Sequence, residues 1–144
     1  MILIRLTFFS RNRLVRPEAG SVAEILAASR SNNRRDDITA ALIHDERWFA
    51  QELEGSETAL SVTFERILRD RRHADVSLVT MQPVAERRYR DVAMIGVARS
   101  SKNSDLFRHY CDGARFDPRS MRADRISDLV EAVVARAAQA TNAA

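Results

Sequence analysis

Cysteine is nearly absent from this chain of 144 residues. A single thiol, Cys111, excludes an intrachain disulfide and suits a reducing compartment. Lysine is as rare: Lys102 stands alone, and arginine supplies the rest of the basic side. Long apolar runs are missing too. None approaches the roughly 18 residues that a membrane span requires, and no charged-then-apolar leader precedes a cleavage site. These absences place the protein in the cytoplasm, with no membrane partner. Catalytic signatures are also lacking: there is no Gly-rich phosphate loop, CxxC pair, HExxH or nucleophile elbow. The histidines His44, His73 and His109 lie on separate elements, without metal-ligand spacing. No metal site and no catalytic residue is expected, Cys111 reads as structural, and the chain reads as a non-enzyme.

What is present describes an ordinary folded domain. Hydrophobic residues make up 45% and charged residues 30%, enough for a core without disulfides. The net charge of +3 is small and dispersed, so no direct nucleic-acid contact is expected. The doublets Arg34-Arg35, Arg71-Arg72 and Arg87-Arg88 read as solvated or anion-facing.

The stretch 37–55, DITAALIHDERWFAQELEG, organises the rest. Its apolar and β-branched arms, Ile38–His44 and Arg47–Leu53, fold back through Asp45-Glu46 as a hairpin. Alternation in the second arm puts Phe49, Gln51 and Leu53 on one face and Trp48, Ala50 and Glu52 on the other. Gln51 is the anomaly, an amide between two large apolar residues on the face that should be buried. Its donors and acceptor need partners, at about 1–3 kcal/mol if left without. Neighbouring backbone could satisfy it; so could a flat polar ligand held over the sheet.

Around the hairpin the pattern predicts a strand over 2–9, with Ile2, Ile4, Leu6 and Phe8 on one face, and a polar loop from Arg11 to Gly20 containing Pro17. A helix over 21–31 follows, opened by the Ser21–Glu24 capping-box spacing and ended at Ser31-Asn32-Asn33. Ser56 caps a second helix over 56–69, with Leu60, Phe64, Ile67 and Leu68 inward. Strands over 76–81 and 91–97 complete the sheet. Beyond Ser100 come a short helix around 104–110 and a longer one from Ala123 carrying an apolar stripe of Ile126, Leu129, Val130, Val133 and Val134; residues 135–144 are expected to fray. The order predicts an α+β fold, a ferredoxin-like βαββαβ sandwich with a fifth strand and two C-terminal helices. Residues 1–98 form the core, and 99–144 a helical extension packed on the opposite sheet face or on a partner subunit.

Polar groups converge between the two first helices and the sheet: Asn32 and Asn33, Gln51, then Asp70, Arg72 and His73. Ile25 and Ile67 are placed to grip a flat ring from both sides, which makes a largely apolar pocket with few polar contacts. At this point the chain resembles the BLUF domains, blue-light sensors that use FAD. The matching blocks are LTFFSR, EILAASRSNNRRDDITAALI, RWFAQELEG, RILRDRRH and RRYRDVAM, in order over residues 6–94; the tail FDPRSMRADRISDLVEAVVARA resembles the extra helices of short, stand-alone members.

The resemblance implies that Gln51 is the photoactive glutamine, that Asn33 holds the isoalloxazine carbonyl with Asn32 beside it, and that Ile25 and Ile67 sandwich the ring. It places Asp70, Arg72 and His73 on the ribityl and phosphate side, Leu42, Phe49 and Arg66 among the cofactor-binding residues, and Met94 near the glutamine. FAD is the implied cofactor, with FMN the alternative. Four positions depart from the pattern. Phe8, next to Phe9, replaces the tyrosine that passes an electron and a proton to the flavin in the family; Val92 replaces a tryptophan; and Asp37 and Ala40 replace glycines around the Ile-Thr pair. A phenylalanine fills the volume but carries no proton, so flavin binding is expected with an impaired or atypical photocycle. The resemblance also implies signalling through contacts with a downstream protein that the sequence does not name, and a homo-oligomer. Two other functions compete: an adaptor, with or without flavin, that regulates a partner protein, and a flavin enzyme. For the enzyme, His73 is the only candidate acid or base near the ring.

Overall fold

A computed structural model describes residues 1–14, 19–113 and 115–143. The elements run β1 (Ile4–Asn12), α1 (Ala19–Asp36), β2 (Thr39–His44), β3 (Trp48–Gly55), α2 (Glu57–Arg69), β4 (His73–Pro83), β5 (Ile95–Ala98), α3 (Ser104–Tyr110), a 3-10 turn at Pro118–Ser120, and α4 (Ala123–Ala143). One sheet orders the strands β4-β1-β3-β2-β5. β3 is central and antiparallel to both β1 and β2, while β5 joins β2 in parallel. This is the ferredoxin-like α+β sandwich that the order of elements predicts.

The β2–β3 hairpin forms because Asp45 closes it. Its carboxylate accepts from the backbone N–H groups of Arg47 and Trp48, both at 2.8 Å, which is the local bonding that makes aspartate a turn residue. Ser56 caps α2 by accepting from Ala59 N at 3.1 Å.

Each face of the sheet carries its own core. Ile4, Leu6, Phe8, Leu42, Phe49 and Leu53 pack with Ile25 of α1 and Leu60 of α2. On the opposite face Ala41, Ile43, Trp48 and Ala50 pack with Phe107 of α3 and with Ile126, Leu129, Val130, Val133 and Val134 of α4. Each fully buried side chain of this size contributes about 1.5–3 kcal/mol.

Several boundaries differ from those expected. α1 does not stop at Ser31-Asn32-Asn33 but continues to Asp36. Asp37 takes the left-handed conformation (φ 55°), and Ile38 N then bonds back to Asn33 O at 2.9 Å. That 6→1 closure is a Schellman end, built on an aspartate where glycine is commoner. At the other end α1 starts at Ala19, so Gly20 lies in the helix rather than in a loop, and Ser21 lies inside it rather than at its cap; Pro17 of the expected loop is outside the described residues. β4 extends well beyond 76–81 because β1 is long enough to pair with it from Asn12↔His73 to Ile4↔Pro83. β5 is shorter than 91–97. Asp91 sits at φ 61°, and the chain before it is held against β3 by other bonds, so the ladder begins only at Ile95. Ile2 and Leu68 point outward, 71% and 54% exposed, and α4 stays helical to Ala143 instead of fraying at 135.

Candidate flavin site

One row of cross-strand neighbours lies beneath the two helices: Phe8 on β1 opposite Gln51 on β3, and Gln51 opposite Leu42 on β2. Above this row α1 and α2 enclose a cavity of about 70 Å³. α1 contributes Ile25, Ser29, Asn32 and Asn33, α2 contributes Thr63, Arg66 and Ile67, and the segment leading into β4 contributes Asp70, Arg72 and His73. Met94, just before β5, closes one side. The expected site residues therefore meet around one cavity, with two exceptions. Phe8 lies beside Gln51 but does not line the cavity; it is fully buried, with Phe64 edge-on at 5.5 Å. Phe49 also lies below the lining, 4.9 Å from the His73 ring, which it supports.

Several polar groups at the ring end of the cavity have no side-chain partner among the described residues. Gln51 is 5% exposed, and its carboxamide has no hydrogen-bond partner among the described residues. Asn32, half-buried, likewise has no side-chain partner among the described residues. Asn33 donates from Nδ2 to Ala93 O at 2.6 Å, which ties α1 to the chain before β5, and Arg30 reinforces the tie by donating to Met94 O at 3.1 Å. The Asn33 amide oxygen has no donor among the described residues. Thr63 Oγ1 is fully buried and unpartnered. A buried polar atom without a partner forfeits about 1–3 kcal/mol. The buried Thr63 hydroxyl, together with the amides of Gln51, Asn32 and Asn33 lining the same slot between apolar walls, matches the edge of a polar, planar heterocycle such as a flavin.

The far end of the cavity is charged and ordered. Arg72 grips Asp70 bidentately, Nε to Oδ1 at 2.9 Å and Nη2 to Oδ2 at 2.7 Å, and its backbone N–H also donates to Oδ1 at 3.0 Å. Burial opposes ionisation of Asp70, but these bonds outweigh it and hold the carboxyl below the usual carboxylate range. Arg66 brings a second guanidinium to the mouth. His73 shares a 2.7 Å hydrogen bond between Nδ1 and Ser10 Oγ. Burial pushes its pKa down, Asp70 opposes that and Arg72 adds to it, so the imidazole is held neutral.

Thr63, Ser29 and Ser10 were not singled out from the sequence. For Thr63 a signal existed: a polar β-branched residue on the same helical face as Leu60 and Ile67, where a core residue would be expected. Ser10 gave none, since its partner His73 is 63 positions away.

Comparison with known proteins agrees with this geometry. The family described as sensors of blue-light using FAD, BLUF, matches residues 3–95. The beta subunit of a photoactivated adenylate cyclase from Euglena gracilis is 37% identical over 68 residues, which is 47% of this chain and 8% of that protein. The alpha subunit is 35% identical over 89 residues, 60% of this chain and again 8% of that one. The chain thus spans less than a tenth of the length of these relatives. Among solved structures, the dark state of the BLUF protein BlrB superposes with a TM-score of 0.80 at 28% identity, covering 94% of this chain and 97% of that one. The photo-activated state of BlsA shares the fold, with a TM-score of 0.82 at 20% identity, covering 92% and 95%. The chain belongs to the BLUF family of blue-light sensors.

Proposed function

We propose that this chain binds FAD between Ile25 and Ile67 and signals without catalysis of its own, through contacts with a downstream protein. Residues 1–98 form the flavin-binding core, and 99–144 carry the surface that a partner or a second copy of the chain meets. The observation that carries the reading is the carboxamide of Gln51, buried beneath two helices with no partner among the described residues, in the same cavity as the unpartnered hydroxyl of Thr63. When bound, a flavin supplies visible absorption and an excited state that accepts an electron. The protein's residues do the rest. Asn33 and Asn32 present amides to the polar edge of the ring. Arg66 and Arg72 supply positive charge toward the ribityl and phosphate side, with Asp70 fixing the Arg72 fork. The cavity holds only about 70 Å³, so a flat ring seats by parting Ile25 from Ile67. FAD is favoured over FMN because Arg66 leaves positive charge at the mouth for a second phosphate.

Gln51 is the element that can switch. Among the described residues no bond fixes its carboxamide, so its orientation follows the hydrogen bonds offered by whatever lies in the cavity. Phe8, its neighbour on β1, cannot offer one. Its ring has no exchangeable proton and is a far poorer electron donor than a phenol. Tyr89 does not replace it, because that side chain lies on the opposite face and donates to Glu52. The native chain is therefore expected to give no stable, reversible red shift after blue light. Phe8→Tyr should confer one, at a stability cost within about 1 kcal/mol if the new hydroxyl reaches Gln51. Difference spectra of both proteins before and after illumination test this. A reversible shift in the unmodified chain would overturn the role given to Phe8.

A further inference from the structure

A second cleft, of about 400 Å³, opens where the β2–β3 turn meets the segment between α3 and α4. Its floor is Trp48 and Phe116, each 3% exposed and both in the core of the α4 face, away from the flavin cavity. Five arginines surround it: Arg11, Arg47, Arg99, Arg115 and Arg119. Arg11 and Arg119 lie over the indole, their guanidinium carbons 4.8 and 5.0 Å from its centre. Both are also held by acids, Arg11 by Asp75 at 2.7 Å and Arg119 by Asp117 at 2.8 Å. They line the cleft already paired. Asp45, which also lines the cleft, directs one carboxylate oxygen to the backbone of the turn. Glu46 is exposed at the rim.

Arg47 and Arg115 are different. Both side chains are exposed, and neither has a carboxylate partner among the described residues. The indole N–H of Trp48 likewise has no acceptor among them. The lining therefore carries an excess of positive charge, five arginines against the carboxylates of Asp45, Glu46 and Asp117, and among the described residues Arg47 and Arg115 are the forks that no carboxylate engages beside the indole N–H.

We propose that this cleft binds the phosphate group of a small phosphorylated ligand, held between Arg47 and Arg115 over Trp48. Planar guanidinium forks match phosphate oxygens better than any other common anion-binding side chain, and the volume accommodates more than a bare phosphate. The proposal does not rest on the flavin site, which uses the other face of the sheet.

Isothermal titration of the flavin-saturated protein with inorganic phosphate, pyrophosphate and adenosine monophosphate, at ionic strength matched with sodium chloride, tests it. Saturable binding of pyrophosphate is expected, weakened roughly tenfold by Arg47→Ala and by Arg115→Ala, the loss of one charge-assisted hydrogen bond each. Arg69→Ala, an exposed residue of α2 paired with Glu65, should leave binding unchanged. Tighter binding of the nucleotide than of pyrophosphate would assign the cleft to a nucleotide; equal binding would assign it to the phosphate group alone. Trp48 is the only tryptophan, so its emission in the native chain reports the same site should either variant fail to fold. No saturable heat or emission change beyond the chloride control, or wild-type binding by folded Arg47→Ala and Arg115→Ala, would overturn the proposal.

Discussion

The two faces of β3 treat polar side chains in opposite ways. On the helix-covered face, Gln51 is buried with no hydrogen-bond partner for its side chain among the described residues. One residue later, on the α4 face, Glu52 is also fully buried, and its carboxylate is saturated. Thr7 donates to it at 2.7 Å, Ser127 of α4 at 2.7 Å, Tyr89 at 2.5 Å and Arg88 at 3.1 Å. Arg88 in turn pairs with Glu131 of α4 at 2.6 Å. Glu54 is satisfied in the same manner, by Arg5 at 2.9 Å, Thr39 at 3.0 Å and the backbone N–H groups of Arg88 and Tyr89 at 2.7 and 2.9 Å. The difference teaches what each face is for. Saturated polarity fixes the protein to itself, here clamping the 86–90 loop and α4 onto the sheet. Unsatisfied polarity, kept buried, is kept for something the protein does not contain.

The largest effect that would break this comparison is expected at Glu52. Glu52→Ala leaves the hydroxyls of Thr7, Ser127 and Tyr89 without this acceptor and Arg88 with Glu131 as its one carboxylate, a loss of about 3–5 kcal/mol. Gln51→Ala in flavin-free protein removes no bond and should change stability by no more than about 1 kcal/mol. Urea denaturation of the two variants measures the gap directly. Equal losses would mean that the two faces are not distinct in kind.

A second contrast concerns pH. Burial pushes down the pKa of His73, and likewise of His44, where Asp45 only partly opposes it. The unfolded chain then binds more protons than the folded one at and below the usual histidine value of about 6.5. Stability should be full above that value and fall as the pH drops through it toward the depressed folded pKa. Thermal melts from pH 8 to pH 5 check the direction. In His73→Gln the fall should be smaller. A melting temperature that rises on acidification across this range would contradict the burial argument.

The smallest expected effect sharpens the same point. Thr63→Val removes a hydroxyl that has no partner while conserving shape. In flavin-free protein it should stabilise by about 1 kcal/mol, because a buried unpaired polar group disappears. The same substitution should weaken flavin retention if Thr63 bonds the cofactor. A loss of stability without flavin would show that the hydroxyl already has an internal role.

Much of this was legible in the sequence, and the failures have physical causes. Alternation in the β2–β3 hairpin placed Gln51 correctly against Trp48 and Glu52, because a strand's period of two leaves no freedom of face. Ser31-Asn32-Asn33 has the composition of a helix end, yet α1 runs on, because the real stop depends on Asp37 adopting a positive φ, which composition does not reveal. The burial of Glu52 and Glu54 was not legible at all. Charged residues alternating on a strand read as a solvated face, and the groups that satisfy Glu52 lie as far as 75 positions away. Thr63 shares the helical face of Leu60 and Ile67, a polar residue at a core position, and the enclosed cavity shows that its hydroxyl is buried there without a partner.

The measurement that bears most directly on the helix-covered face of β3 is flavin uptake. Protein incubated with FAD and passed through a gel-filtration column in the dark should elute yellow, with flavin absorption bands co-migrating stoichiometrically with the protein. Colourless protein after that incubation would contradict the account, because the buried carboxamide of Gln51 and the hydroxyl of Thr63 would then have no flavin to meet.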